Sequence, residues 1–383
     1  MKQRKRLFEK IVDFSRNSFF GMVSDFDINL SESRAFLESL EEPKDDFERS
    51  YAQYLCQVFL RNKRALFILN LGCAIITLPY ILKCLLTKVK SAEKKDLVCA
   101  IAKKNQPKIP KSLIDGTTSC IITVDHEYVS LNGSDLKLIW KIFLSHPFSP
   151  YYLLHIIIKL SIYRGFINKY NPQAIVVNEE FSCVSSIMTY YCELHGIEHI
   201  NILHGEKDFY IRDSFFRFNK CYVWDEWYVK LFESLRAAKG QFVIEVPPCF
   251  VLKRNEYSYI DLVDYKYYLE GNDKLEEIAQ SIHKLKNFGY SIKVRPHPTF
   301  TDVNKMMCFF EPDEIEDCNV STEESIMGTK NAISLYSTVL LQAYFSGINV
   351  VIDNVNFSMQ YKKLKDLKYI LIGKKHTKLS DVL

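Results

Sequence analysis

AIVVNEEFSCVSSIMTYYCELHGIEHINILHG, residues 174–205, is the stretch that decides the fold. Ala174-Ile175-Val176-Val177 is a short apolar run of mostly β-branched residues and reads as a buried strand. Ser182 to His195 reads as a helix, and His199-Ile200-Asn201-Ile202-Leu203 as a second strand that stops at His204-Gly205. A strand, a helix and a strand in succession imply a right-handed βαβ unit and a mainly parallel sheet.

The same texture extends outward in both directions. Leu97 to Ile101 and Ser119 to Val124 read as buried strands, and Leu136 to Phe166 as mostly helical, broken near Pro147 and Pro150. Cys221 to Trp224 and Phe242 to Val246 continue the series, which Pro247-Pro248 ends. After the polar link Lys253-Arg254-Asn255-Glu256 a second α/β series begins. Its expected strands are Tyr259–Val263, Ser291–Val294, Asn331–Leu335 and Asn349–Ile352, with helices at Lys274–Asn287 and Thr338–Phe345. The expected class is α/β, with two Rossmann-like domains facing across a cleft behind a helical N-terminal region. The expected boundaries are 1–95, 96–250 and 256–383. A chain of 383 residues suits two α/β domains of about 150 residues or more each.

Upstream, Leu7, Ile11, Val12 and Phe14 follow helical spacing, and Asp45 to Leu60 contains no Gly or Pro. Ala65 to Leu86 is then the most apolar run in the chain, with Lys83 its one charge and Pro79 its one proline. It is compatible with a buried or interfacial helix, with a monotopic membrane contact, and by length with a span. Arg61, Lys63 and Arg64 precede it, and Lys88, Lys90, Lys94 and Lys95 follow. The basic start Lys2 to Arg6 lacks an uninterrupted apolar segment behind it and does not read as a secretory signal.

A net charge of +4 supplies no dense cationic face of the kind that displaces counterions from nucleic acid, so a nucleic-acid partner is not expected. The 11 cysteines are scattered without a Cys-x-x-Cys pair, which excludes zinc-ribbon and thioredoxin spacings and favours a reducing, cytoplasmic compartment. Peripheral attachment to the inner face of the plasma membrane is compatible with the 65–86 run.

Ligands of open parallel sheets bind outside the carboxyl ends of the strands. Four polar groups sit at such ends. Arg295-Pro296-His297-Pro298 follows Ser291–Val294, and its two prolines fix the backbone around an imidazole. Arg295 suits a phosphate as a fixed cation, and His297 as a hydrogen-bond donor or general acid; an ordinary capping histidine is the plain alternative. Ser334-Leu335-Tyr336-Ser337-Thr338 closes a strand and opens a helix. Ser337 or Thr338 is its N-cap, an arrangement that suits an anion but that any helix start also shows. His204-Gly205-Glu206 offers a turn, with Gly205 letting a ligand approach the backbone, or simply a solvated corner. Asn178-Glu179-Glu180 offers paired carboxylates for a base, or ordinary partners for a helix dipole.

No Gly-x-Gly-x-x-Gly, P-loop or Gly-x-Ser-x-Gly pattern occurs, which removes support for dinucleotide oxidoreductases, P-loop NTPases and α/β-hydrolases. Asp25-Phe26-Asp27 is the one Asp-x-Asp, and it lies in the helical N-terminal region rather than after a strand, so no metal site is expected.

From Leu97 to Asp353 the order of motifs resembles bacterial glycosyltransferases of the GT-B type that build capsules and lipopolysaccharide. The resemblance rests on His204-Gly205, Val223-Trp224-Asp225, Val246-Pro247, Arg295-Pro296-His297-Pro298, and Ser334-x-x-Ser337-Thr338 with Gly347. Within that group the chain is similar to sialyltransferases and related CMP-sugar (Kdo or other nonulosonate) transferases, whose His-Pro and Ser/Thr motifs hold the CMP phosphate. The resemblance implies metal-independent transfer from a CMP-linked donor to a glycan or lipid-linked glycan, without a cofactor. His297 would act on the departing phosphate, and Arg295, Ser334, Ser337, Thr338 and Gly205 would bind the donor. The family's Asp/Glu-Asp/Glu-Gly base motif has no match, leaving Glu206, His204 and Glu180 as candidates. CDP-glycerol-type polyol-phosphate transferases share the His-Gly turn and His-Pro loop and stay open as an alternative. So do a sugar-nucleotide epimerase, which would need carboxylates reaching one sugar carbon, and a non-catalytic membrane assembly factor.

Overall fold

The computed structural model describes residues 28–87, 89, 97–100, 108–115, 120–123, 128–254, 262–317 and 319–383. The expected helix carrying Leu7 to Phe14, the basic start Lys2 to Arg6, Asp25-Phe26-Asp27, and Lys88, Lys90, Lys94 and Lys95 lie outside these residues. Two units emerge. The first runs to His204 and takes in Tyr210–Glu245; the second holds Gly205–Phe209 and Val246–Leu383.

The first unit is built on a parallel six-stranded sheet in the order β2-β1-β3-β4-β5-β6. Its strands are β1 (Leu97–Ala100), β2 (Cys120–Thr123), β3 (Ala174–Val177), β4 (Glu198–Ile202), β5 (Lys220–Val223) and β6 (Phe242–Ile244). β3 is buried along its whole length, and β4 from its second residue on. A parallel strand covered on both faces has no solvent side, which is why its sequence is a continuous apolar run rather than an alternation. Val176, Ile200, Ile202 and Tyr222 share one core cluster with Ile109 and Leu113.

Helices Leu30–Ser39, Asp46–Phe59 and Lys63–Leu86 belong to this unit. Asp45 caps the second by accepting from Phe47 N and Glu48 N at 2.9 Å each. From its buried face Ser50 donates to Cys183 O (2.6 Å) and Gln53 to Glu180 O (2.9 Å), so the helix is fixed to the sheet by side-chain bonds to loop carbonyls. Lys63–Leu86 is one continuous helix of 24 residues lying along helix Pro150–Tyr170. The latter carries a required glycine: a Cβ on Gly165 would sit 2.2 Å from the Tyr128 carbonyl oxygen.

The second unit has a parallel five-stranded sheet in the order β11-β10-β9-β7-β8. Its strands are β7 (Val263–Tyr268), β8 (Ile292–Arg295), β9 (Thr329–Ser334), β10 (Asn349–Ile352) and β11 (Thr377–Lys378). Helix Leu275–Asn287 presents Leu275, Ile278, Ile282 and Leu285, one helical stripe, to Tyr265, Tyr267, Ile292, Val294 and Ile333 of the sheet. Both sheets share the doubly wound plan. The second strand lies on one side of the first and the remaining strands on the other, so the direction of winding reverses between β1 and β3 and again between β7 and β9.

Two expectations need correction. The strand expected at Tyr259–Val263 is Val263–Tyr268; residues 259–261 lie outside the described set. Lys266 hid the real strand, because a buried charge argues against one. Lys266 is accommodated by a carboxylate far along the chain, donating to Glu316 at 2.5 Å. The two-residue edge strand β11 was not expected, being too short for any periodicity.

Candidate functional site

The reversal point between β7 and β9 is where an open α/β sheet holds its ligand. The second unit has a pocket of about 390 Å³ there. The ends of three adjacent strands supply its walls: Leu269-Glu270 after β7, Pro296, His297, Pro298 and Phe300 after β8, and Tyr336 to Val339 after β9. Glu206, from the short segment Gly205–Phe209, completes it.

His297 is held by a closed loop. Its N–H donates to Thr301 Oγ1 at 2.9 Å, Thr301 N returns a bond to His297 O at 3.2 Å, and Thr301 Oγ1 reaches Gly271 O at 3.3 Å. The ring stacks on Phe300, with centroids 4.6 Å apart. Its Nδ1 accepts from Thr299 N (3.1 Å) and Phe300 N (3.2 Å). A nitrogen accepting two N–H groups cannot itself carry a proton, so the neutral tautomer is set and the ring proton sits on Nε2. Partial burial also lowers the imidazole's pKa. In this arrangement His297 is a neutral Nε2–H donor; hydrogen-bond donor and general acid were the two roles expected of it.

Two carboxyl groups face the same space. Both Glu206 oxygens are shut from solvent and neither has a hydrogen-bond partner. Burial pushes this carboxyl well above the usual range, with the charges of Asp208 and Glu270 adding to the effect. Glu270 Oε1 accepts from Tyr336 N at 2.5 Å and lies 3.1 Å from Ser334 Oγ. Burial raises Glu270 to about 7, against the opposing pull of those two donors. Burial thus favours the protonated form of Glu206, and Glu270 is raised to about 7, so one pocket holds two carboxyls shifted in the same direction. Glu270 was missed from sequence because the preceding strand was placed several residues too early. The alternation of Tyr265, Tyr267 and Leu269 up to Glu270-Gly271 was the available signal.

Ser337 is the N-cap of helix Thr338–Phe345, its hydroxyl accepting from Val339 N at 3.2 Å. Thr338 donates from neither its N–H nor its hydroxyl to any described residue, leaving both at the positive end of the helix. Ser334 and Arg295 are each held by partners within the fold. Ser334 is buried, its hydroxyl 2.8 Å from Tyr268 O, so it supports Glu270 from behind rather than facing a ligand. Arg295 lines the pocket and donates to Glu316 Oε2 (2.6 Å) and Val320 O (2.9 Å), sharing that one carboxylate with Lys266. Among the described residues no three His, Cys, Asp or Glu side chains converge as metal ligands.

The remaining candidates lie in the first unit, except Gly205. Glu180 is fully buried and accepts from Asn201 Nδ2 (3.1 Å) and His204 N (3.2 Å), holding the ends of β3 and β4 together rather than acting as a free base. His204 is exposed, with Nδ1 3.0 Å from Asn178 Nδ2. Gly205 begins the segment assigned to the second unit, where a Cβ would meet nothing within 4 Å and φ is not left-handed. The turn itself therefore does not require glycine.

No family model matches the chain, and no curated protein matches it. Among solved structures it is similar to a variant of the wall teichoic acid polymerase TagF, at 12% identity and a TM-score of 0.42, over 84% of this chain and 87% of that one. It is similar to a putative UDP-N-acetylglucosamine 2-epimerase from Listeria monocytogenes, at 9% identity and a TM-score of 0.42, over 68% and 79%. It is also similar to a glycosyltransferase from Rickettsia africae ESF-5, at 12% identity and a TM-score of 0.37, over 69% and 80%.

Proposed function

We propose that this chain is a glycosyltransferase that holds the phosphate of a nucleotide-activated sugar in the β7/β9 pocket of its second unit. One observation carries the reading. Donors suited to an anion, His297 Nε2–H and the open N-terminus at Thr338, share a pocket with two carboxyls that burial shifts toward their protonated forms. In such a transfer the bond from the anomeric carbon to phosphate oxygen breaks, and its electron pair goes to the nucleotide. The acceptor oxygen bonds to that carbon and releases its proton to a base. Neutral donors fixed in place stabilise the charge growing on the leaving phosphate without reorganising. A carboxylate titrating near working pH, as Glu270 does, is matched to taking the acceptor proton. Burial favours the protonated form of Glu206, which would add a donor instead of a repelling charge. The finer assignment, a CMP-linked donor and a surface-glycan acceptor, follows from the motif resemblance.

The two carboxyls also favour a second reading, sugar-nucleotide epimerisation, in which an acid and a base work on one sugar carbon. Thermal shift with CMP, CDP, UDP and GDP, with and without chelator, tests the shared premise. A nucleotide at 100 times its dissociation constant adds about 2.7 kcal/mol of stability. If none of the four stabilises the protein, both readings fail; if chelator removes the shift, the metal-free version fails. Product analysis then separates them, since epimerisation releases a changed sugar nucleotide with no acceptor present. For either reaction His297→Ala should lower turnover by on the order of 10²-fold with little change in melting temperature, because the freed Thr299 and Phe300 N–H groups are exposed to water.

A further inference from the structure

Helix Lys63–Leu86 turns its apolar side outward. Phe67 is 71% exposed, Leu71 58%, Ile75 69%, Leu78 64% and Leu82 52%. Their spacing of four, four, three and four residues makes them one continuous stripe. No charge interrupts residues 65–82, a length of roughly 27 Å at 1.5 Å per residue. The inner side is fixed to the first unit: Ala65 and Cys84 are buried, Asn70 Oδ1 accepts from Tyr151 N (3.0 Å), and Tyr80 OH meets Ser161 Oγ (2.9 Å). The stripe therefore cannot roll inward without breaking these bonds.

The segment beside it has the same character. Leu131 N bonds to Cys84 O at 3.2 Å, so residues 131–151 are tied to this helix near both ends, at Cys84 and at Asn70. Trp140, Leu144 and Phe148 within that segment are 60%, 61% and 93% exposed. The charges are of one sign. Lys63, Arg64, Lys83, Lys137 and Lys141 are exposed. Residues 61–87 contain no acid, and Asp135, the one acid in 128–151, is buried against Arg164. Two copies pairing through this surface would oppose cation to cation. An anionic lipid surface complements it.

We propose that helix Lys63–Leu86 lies along the headgroup–acyl boundary of an anionic bilayer, with the Phe67–Leu82 stripe among the acyl chains and Lys63, Arg64 and Lys83 at the lipid phosphates. The bonds to Tyr151 and Ser161 keep the helix lying on the fold rather than crossing the membrane. This inference is independent of the reaction assigned above.

The test is co-sedimentation of the full chain with vesicles of phosphatidylcholine alone and of a three-to-one mixture with phosphatidylglycerol, at low and high salt. Lipid-free samples are run in parallel by analytical ultracentrifugation. Binding should favour the anionic vesicles and weaken with salt. The combined substitution Phe67→Ser, Leu71→Ser and Ile75→Ser should lower it at least about a hundredfold on both vesicles, without lowering the melting temperature. Lys63→Gln with Arg64→Gln should weaken binding about fivefold per cation, on anionic vesicles only. Absence of vesicle binding, or binding indifferent to the serine variant, overturns the proposal. So does a lipid-free dimer that the serine variant disperses, which would assign the stripe to a second copy.

Discussion

Replacing Glu270 by Gln should stabilise the second unit at neutral pH and do nothing for it in acid. Glu270 is shifted from an ordinary 4.5 to about 7, chiefly by burial. The sign follows from which state loses its proton first. Below about pH 4.5 both folded and unfolded chains carry the proton, and the group costs nothing. Between 4.5 and 7 the unfolded chain ionises while the folded one resists, so stability falls as pH rises, and above about 7 the whole cost is present. At about 1.4 kcal/mol per pH unit a fully buried carboxyl would lose about 3 kcal/mol over that span, but Glu270 is open to solvent, which screens the cost to about 1 kcal/mol. Glutamine keeps an oxygen to accept from Tyr336 N and cannot ionise, so Glu270→Gln should regain about that amount at pH 8 and none at pH 4.5. The assay is urea unfolding at several pH values, followed by far-ultraviolet circular dichroism or by amide exchange in β7 and β9. Tryptophan emission is blind here, because Trp140, Trp224 and Trp227 all lie in the first unit. A gain equal at both pH values would refute the reasoning. A loss at pH 8 would mean that the ionised carboxylate is the form the Tyr336 and Ser334 donors require.

Gly165→Ala should destabilise the first unit by about 2–3 kcal/mol, since the new Cβ falls 2.2 Å from Tyr128 O; a melting temperature that rises, as helix propensity alone would dictate, contradicts this. Glu316→Gln should cost about 3–5 kcal/mol in the second unit, because buried Lys266 and Arg295 lose their shared counter-charge; denaturant titration showing under about 1 kcal/mol would mean the network is dispensable. Ser337→Ala should remove about 1 kcal/mol as a lost N-cap. In calorimetric titration the same variant should weaken nucleotide binding, and unchanged affinity would move the phosphate away from this helix.

The βαβ units were legible because covered parallel strands leave an unmistakable trace, as in Ala174–Val177, where every residue is buried. The position of His297 was legible too, since two prolines after an apolar run mark a rigid strand end. The tautomer was not: it depends on Thr299 and Phe300 N–H groups aligning on Nδ1, a matter of loop closure through Thr301 and Gly271. β7 was misplaced because its Lys266 is rescued by Glu316, 50 residues away, and with it went Glu270, whose donor Tyr336 lies 66 residues on. The run at 65–86 read plainly as an apolar helix, but which side faces out was settled by Tyr151 and Ser161 bonding its inner face. Sequence by itself determined what depends on neighbours within a few residues: strand and helix periodicity, proline stops, and a helix start at Ser337 or Thr338. Tertiary structure alone decided charge states, partners and exposed faces, because desolvation and ion pairing depend on groups that approach in space from dozens of residues away.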